Sequence, residues 1–456
     1  MNSVAYSPKS AGLSVAMIRA LIFTGLCALM FALMTPSVSA QEGGEKEKRE
    51  TTKTGSMSER VYKRLAEAQA LAAPEDEAAE PDFAGAEAQL KEIAALDGLS
   101  EYEEAQLYNF YGFIYYSQEK YQQSIDAYEK VISLQEIPPG LRNQVIYTLA
   151  QLKFTTEQYQ EAIDLLNNWL KTQENPGPEP YILIATGYYQ LEEIDKIIPP
   201  VEKAMAIAQE RGTQTKEQWW LLLRVAYWEK GDNKKVRDIL EVLVTNWPKK
   251  EYWAQLSAVY GELEDEPKQL SAFASAYDQN LLTTNSELLQ IAQLYLANDV
   301  PYKAAKILEK GFADGDVERN AKNLRLYSQS WALAREDRRA IAPLKEAAKL
   351  SSDGELDIRL AQSYLNLGEY KSCVSAARQG LKKGDLKRDD ISNMILGMCL
   401  FESDDLVDAK AAFRKAKQDE RSSKGAEQWI LFITSEEERI ERLERSMREL
   451  QIEIVS

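Results

Sequence analysis

One pattern returns nine times along this chain, and it restricts the fold more than any other feature. Its second-helix small-residue site falls at Ser124, Ala162, Ile197, Val236, Gln269, Ala304, Ala340, Cys373 and Ala409. The gaps are 38, 35, 39, 33, 35, 36, 33 and 36 residues. Four residues after each site stands an apolar partner: Tyr128, Leu166, Val201, Leu240, Phe273, Leu308, Leu344, Ala377 and Phe413. Between these sites apolar residues recur at intervals of three and four, the period of a helix, and alternating strand-like runs are scarce. One helical hairpin of this size cannot bury its own apolar face. A chain that repeats such hairpins must stack them so that neighbours complete a continuous core.

The best-preserved copies read Tyr108, Gly112 and Tyr115 with Tyr121, Ser124 and Tyr128, and Leu396-Gly397 with Ala409, Phe413 and Ala416. These resemble the tetratricopeptide repeat, a helical hairpin of about 34 residues. The resemblance covers residues 57 to about 434. It implies an all-α, right-handed solenoid of about nine to ten hairpins, with a C-terminal capping or heptad helix. Residues 57–98 read as a degenerate N-terminal hairpin with Ala86 at its small site, 99–421 as the repeat array, and 422–456 as the cap. Arg224, Ile197, Val236 and Gln269 are large for their sites and leave the register of the middle repeats open by one turn. Ser100 with Glu103, and Thr284 with Glu287, have the spacing of capping boxes that open first helices.

Aromatic residues exceed what hairpin packing needs. They come in adjacent pairs, Tyr115-Tyr116, Tyr188-Tyr189 and Tyr227-Trp228. Neighbours on a helix point ~100° apart, so the two members of a pair cannot face the same way. In the family the second direction is the concave face. Tyr116, Phe154, Tyr189 and Trp228 then form a candidate partner-binding stripe along the first four repeats, flanked by Phe113 and Tyr147. The alternative is that these rings pack between successive repeats. The later repeats carry Gly261, Leu296, Ala332 and Leu365 at the equivalent position.

The two ends are of different character. Arg19 precedes an apolar run over residues 20–34, Pro36 breaks it, and Val38-Ser39-Ala40 offers small residues before Gln41. This is the form of a secretory signal cleaved after Ala40. The run is shorter than the ~20 residues of a spanning helix, and an uncleaved anchor is the alternative. Residues 41–56 are polar throughout and read as a flexible leader. At the other end Ile433, Ile440, Leu443, Met447, Leu450 and Ile454 are spaced as a heptad seam. It reads either as a helix capping the last repeat or as a short coiled coil giving weak self-association.

Composition excludes several function classes. The chain has 72 Asp and Glu against 55 Lys and Arg, a net charge of −17. Removing Lys9 and Arg19 with the leader takes this to −19 (−17 less two positive charges). Such a surface does not suit nucleic acid, and it favours partners with basic patches that salt would weaken. There is no His. That removes His-dependent triads and His-ligated metal sites. No phosphate loop, dinucleotide fingerprint or calcium loop occurs, so no catalytic residue, cofactor or metal is expected. Cys373 and Cys399 lie in neighbouring hairpins and could stay reduced as core residues or pair in an exported protein.

Leader, solenoid and Trp429-containing tail together resemble the exported tetratricopeptide proteins that accompany the TonB energy-transduction machinery. That resemblance implies a periplasmic, non-catalytic scaffold that supports TonB-dependent outer-membrane transport and holds an envelope protein, a TonB-system component for example, in its concave groove. It implies no membrane span in the mature form. A scaffold for envelope or outer-membrane assembly, and a helical enzyme acting on the cell wall, are the competing readings.

Overall fold

The computed structural model describes residues 56–74 and 80–455, with side chains as far as residue 448. The signal, its cleavage point, and all but the last residue of the leader lie outside the described residues. Twenty-one α-helices and no strand occur among the described residues. The helices pair as α1 (Glu59–Ala72) with α2 (Phe83–Ala94), α3 (Glu101–Ser117) with α4 (Tyr121–Ser133), and α5 (Pro139–Thr155) with α6 (Tyr159–Leu170). Then come α7 (Glu179–Gln190) with α8 (Ile198–Glu210) and α9 (Glu217–Glu229) with α10 (Asn233–Asn246). The chain divides into two compact units, 1–239 and 240–456, and the division falls within α10. The second unit pairs α11 (Lys250–Glu262) with α12 (Glu266–Asp278), α13 (Asn285–Ala297) with α14 (Pro301–Asp314), and α15 (Ala321–Leu333) with α16 (Asp337–Leu350). It continues with α17 (Glu355–Asn366) and α18 (Tyr370–Lys383), α19 (Asp389–Phe401) and α20 (Leu406–Ala416), and ends in α21 (Glu420–Val455). The architecture is that of a tetratricopeptide-type α-solenoid.

One backbone device closes all nine repeat hairpins. The residue at the turn between first and second helix is left-handed in each: Glu119, Glu157, Glu192, Gly231, Glu264, Asp299, Arg335, Gly368 and Asp404, with φ between 57° and 73°. The next amide donates back to a carbonyl in the last turn of the first helix, as Lys120 does to Tyr115 (2.8 Å), Asp232 to Tyr227 (3.0 Å) and Asp405 to Leu400 (2.9 Å). This is the closure that satisfies orphan carbonyls at a helix end. Each turn lies five residues before its small-residue site, so the register holds through the middle repeats as well. Arg224, Ile197, Val236 and Gln269 are therefore tolerated at their positions without a shift of phase.

Within a hairpin the helices meet at a site that needs one small partner on either side. Gly112 of α3 lies against the ring of Tyr128, and the buried Ser124 hydroxyl donates to the Gly112 carbonyl at 2.7 Å. In the second unit the donor changes sides: Ser257 of α11 donates to Gln269 (2.9 Å), and Ser328 of α15 to Ala340 (2.8 Å). The Gln269 side chain is accommodated over Gly261, where an added Cβ would lie 2.7 Å from its Nε2. Gly397 of α19 lies against the ring of Phe413, as Gly112 does against Tyr128.

Ties between hairpins are polar as well as apolar. Both boxes form as expected from their spacing. The Glu103 carboxylate, besides capping α3 through Ser100, accepts from the Ser58 amide (2.9 Å) and hydroxyl (2.6 Å) at the start of α1. It thus holds two helix N-termini with one anion. Lys153 of α5 is buried between Glu129 of α4 (3.0 Å) and Glu161 of α6 (2.7 Å). In the second unit one apolar cluster runs from Phe273 to Ile433. Cys373 of α18 and Cys399 of α19 are both fully buried in it and form a disulfide, with Cα atoms 5.7 Å apart.

The tail begins as a cap. Ala426 and Ile433 are fully buried, and Trp429 stacks on Phe413 with centroids 5.3 Å apart and planes 4° from parallel. Asp390 of α19 accepts from Arg388 (2.7 Å) and from the Ser422 hydroxyl (2.6 Å), which pins the start of α21. The Arg388 guanidinium holds the Asp390 carboxyl well below the usual carboxylate range.

Candidate partner-binding face

Where helices two apart along the chain touch in the first unit, they are first helices of successive hairpins: α1 with α3, and α7 with α9. In these two places first helices are the more closely spaced layer of the stack. A side chain on them that does not enter the hairpin core faces this inner layer. The six aromatic candidates all lie on first helices: Phe113 and Tyr116 on α3, Tyr147 and Phe154 on α5, Tyr189 on α7, and Trp228 on α9.

Their surroundings differ. Phe154 is only 3% exposed and belongs to the core. Gly187 of α7 leaves a socket that this ring fills: a Cβ there would lie 2.9 Å from Phe154 Cζ. Tyr159 closes over it edge-on at 5.7 Å. Phe154 is therefore a wedge between hairpins and not a surface residue, which corrects the expectation for that position. Phe113 is half-buried against the core of the N-terminal hairpin, and Tyr116 against that of the first repeat, its ring 6.0 Å from Tyr121. Tyr147 leans on Trp169 at 5.2 Å. Burial and then the nearby charge of Glu179 push its phenol up to about 12, so it stays neutral and can donate a hydrogen bond across the physiological range. Tyr189 and Trp228 are half-buried. Among the equivalent positions of the second unit, Gly261, Leu296 and Leu365 are half-buried and Ala332 is exposed. The fifth, Phe401 of α19, is a half-buried ring, but it packs on Trp429 and Phe432 of the cap.

Two residues the sequence pattern did not single out lie on the same helices. Asn109 of α3 is 4% exposed and Gln151 of α5 is 8% exposed. The Asn109 Nδ2 and the Gln151 Oε1 are buried without a hydrogen-bond partner among the described residues. A buried amide left in this state costs about 1–3 kcal/mol, so such groups ask for an explanation. One is a donor and the other an acceptor, the two functions of a peptide backbone. The signal that could have found them is an amide at an otherwise apolar helical position. Among the described residues no group of acidic or sulfur side chains is placed to hold a metal ion. No described helix is long and apolar enough to cross a membrane.

Residues 105–137, the hairpin of α3 and α4, match the family model of the tetratricopeptide repeat. That one hairpin matches the repeat by sequence. No curated protein matches the chain. Among solved structures it is similar to a tetratricopeptide repeat protein from Parabacteroides merdae, at 16% identity over 64% of this chain and 94% of that one, with a TM-score of 0.34. It is similar to the MamA protein at 16% identity over 38% of this chain and 92% of that one, with a TM-score of 0.32. A third is YrrB, a TPR protein with an unusual peptide-binding site, at 13% identity, covering 41% and 95%, TM-score 0.34.

Proposed function

We propose that the first unit binds an extended segment of another protein along its inner first helices, and that the chain works as a non-catalytic scaffold in the periplasm in support of TonB-dependent outer-membrane transport. The observation that carries the binding role is the set of half-exposed rings on successive first helices of the first unit. These rings are Phe113 and Tyr116 on α3, Tyr147 on α5, Tyr189 on α7 and Trp228 on α9. Rings of this kind supply contact area at low entropic cost. Export is supported by the form of residues 1–40 and by the Cys373–Cys399 disulfide, which suits an oxidising compartment. The TonB connection rests on the resemblance of leader, repeats and tail.

The test is crosslinking in intact cells, with Tyr189→Ala and Trp228→Ala combined. Capture of the partner should fall by at least about tenfold while helical content and melting stay unchanged. Unfolding of the variant would make these rings core and end the binding role assigned to them. A captured partner outside the TonB machinery would remove the transport assignment and leave the scaffold standing.

A further inference from the structure

We propose that the distal half of α21 forms a parallel, two-stranded coiled coil with a second copy of this chain. The docked part of the helix ends at Glu437, which pairs with Lys410 of α20. From Glu438 to Arg448 every side chain is exposed. Three of these are large and apolar: Ile440 at 39%, Leu443 at 50% and Met447 at 66% exposure. They are spaced three and four apart, and the sequence continues the register at Leu450 and Ile454. An apolar seam on a narrow stripe, with charge on both sides, is the pattern of a helix awaiting one like partner.

Two features select a second copy in parallel. The first is charge. With Ile440, Leu443 and Met447 on the seam, the flanking positions are Arg439 and Ser446 on one side and Glu444 and Gln451 on the other. In a parallel pair Arg439 faces Glu444 of the other copy, twice by symmetry, and Ser446 faces Gln451. No like charges meet. An antiparallel pair centred on this seam sets the two Glu444 carboxylates against each other. The present partners of these groups, Glu436 for Arg439 (2.8 Å) and Arg448 for Glu444 (3.8 Å), are exposed intrahelical pairs that exchange at little cost. The second feature is preorganisation. Short coiled coils are marginal because nucleating the helix is unfavourable. Here the first turns of α21 are held by Ile433, Trp429 and Asp390, so the helix is already nucleated where the seam begins.

The experiment is sedimentation velocity on the full chain from low to high micromolar concentration, with a crosslinking arm. A dimer whose population rises with concentration is expected. Leu443→Lys combined with Met447→Lys should weaken it at least tenfold without loss of helical content, and Ile440→Cys should form an intermolecular disulfide with its own counterpart. A monomer throughout, or a dimer untouched by the double Lys variant, would overturn the proposal. So would a dimer in which Ile440→Cys fails to crosslink, since that residue lies far from its counterpart in an antiparallel pair. Loss of vesicle binding by the double Lys variant of a chain that stays monomeric would give the seam to lipid instead.

Discussion

Replacing Gly112 by Ala isolates the packing of the tetratricopeptide hairpin. A Cβ at this position would fall 2.6 Å from Cε1 and Cζ of Tyr128, where ordinary contact begins near 3.4 Å. The ring, 1% exposed, is packed among Ala105, Ile125 and Val131 and has to move by about 0.8 Å, the difference of those two distances. Overpacking of this kind costs about 1–3 kcal/mol. Against it stands the helix propensity of Ala over Gly, worth about 1 kcal/mol. Gly140, at the start of α5, is the internal control, because nothing lies within 4 Å of its added Cβ. Gly140→Ala should be neutral to slightly stabilising. The difference between the two variants, in which propensity largely cancels, is the packing cost of about 1–3 kcal/mol. Urea unfolding followed by circular dichroism measures it, with hydrogen exchange of the α3 and α4 amides to localise the loss. Adding Tyr128→Leu to Gly112→Ala should be less harmful than the sum of the single changes by at least about 0.5 kcal/mol. If Gly112→Ala is as stable as Gly140→Ala, the glycine is not there to admit the ring, and the reasoning fails.

Other outcomes follow from features of both units. Removing the disulfide by Cys373→Ala with Cys399→Ala should destabilise the second unit by about 3.5 kcal/mol, the chain-entropy value for a separation of 26 residues. Urea unfolding with and without reductant checks this, and a change below about 1 kcal/mol would speak against a stabilising crosslink. Burial pushes the Glu103 carboxyl up, but hydrogen bonds from Ser58 and Ser100 outweigh this and hold it down to about 2. Its stabilisation is therefore complete above the ordinary carboxylate pKa and is lost as pH falls from about 4.5 to about 2. Melting of the native chain against Glu103→Gln across that window should show the native advantage shrinking, and a constant gap would contradict the assignment.

The repeat was legible because its period is set by residues that touch inside one hairpin, such as Gly112, Ser124 and Tyr128. The turns were not legible as turns. Seven of the nine left-handed positions carry Glu, Asp or Arg, and only Gly231 and Gly368 have the residue that usually marks them. The surrounding closure outweighs the local preference, so no punctuation remains in the sequence. Phe154 was misread for a different reason. Whether a ring on a first helix turns inward or outward depends on the next hairpin, here on the empty space above Gly187, and a spacing rule within one repeat does not contain that information. The same holds for Glu103. Its capping box is local, while its reach to Ser58 spans 45 residues. Of the tail's two readings the cap is seen at Ile433, which is buried, while Ile440, Leu443 and Met447 are exposed beyond it.

Nine joints with one backbone conformation make each hairpin an exchangeable part. Duplicating or excising the segment between two such joints brings together ends of matching geometry, so the number of hairpins can change by whole steps without a new connection having to be invented. Growth of the array by recombination is then constrained chiefly by the side chains that reach across neighbours, Lys153 and Phe154 among them, and not by the chain path itself.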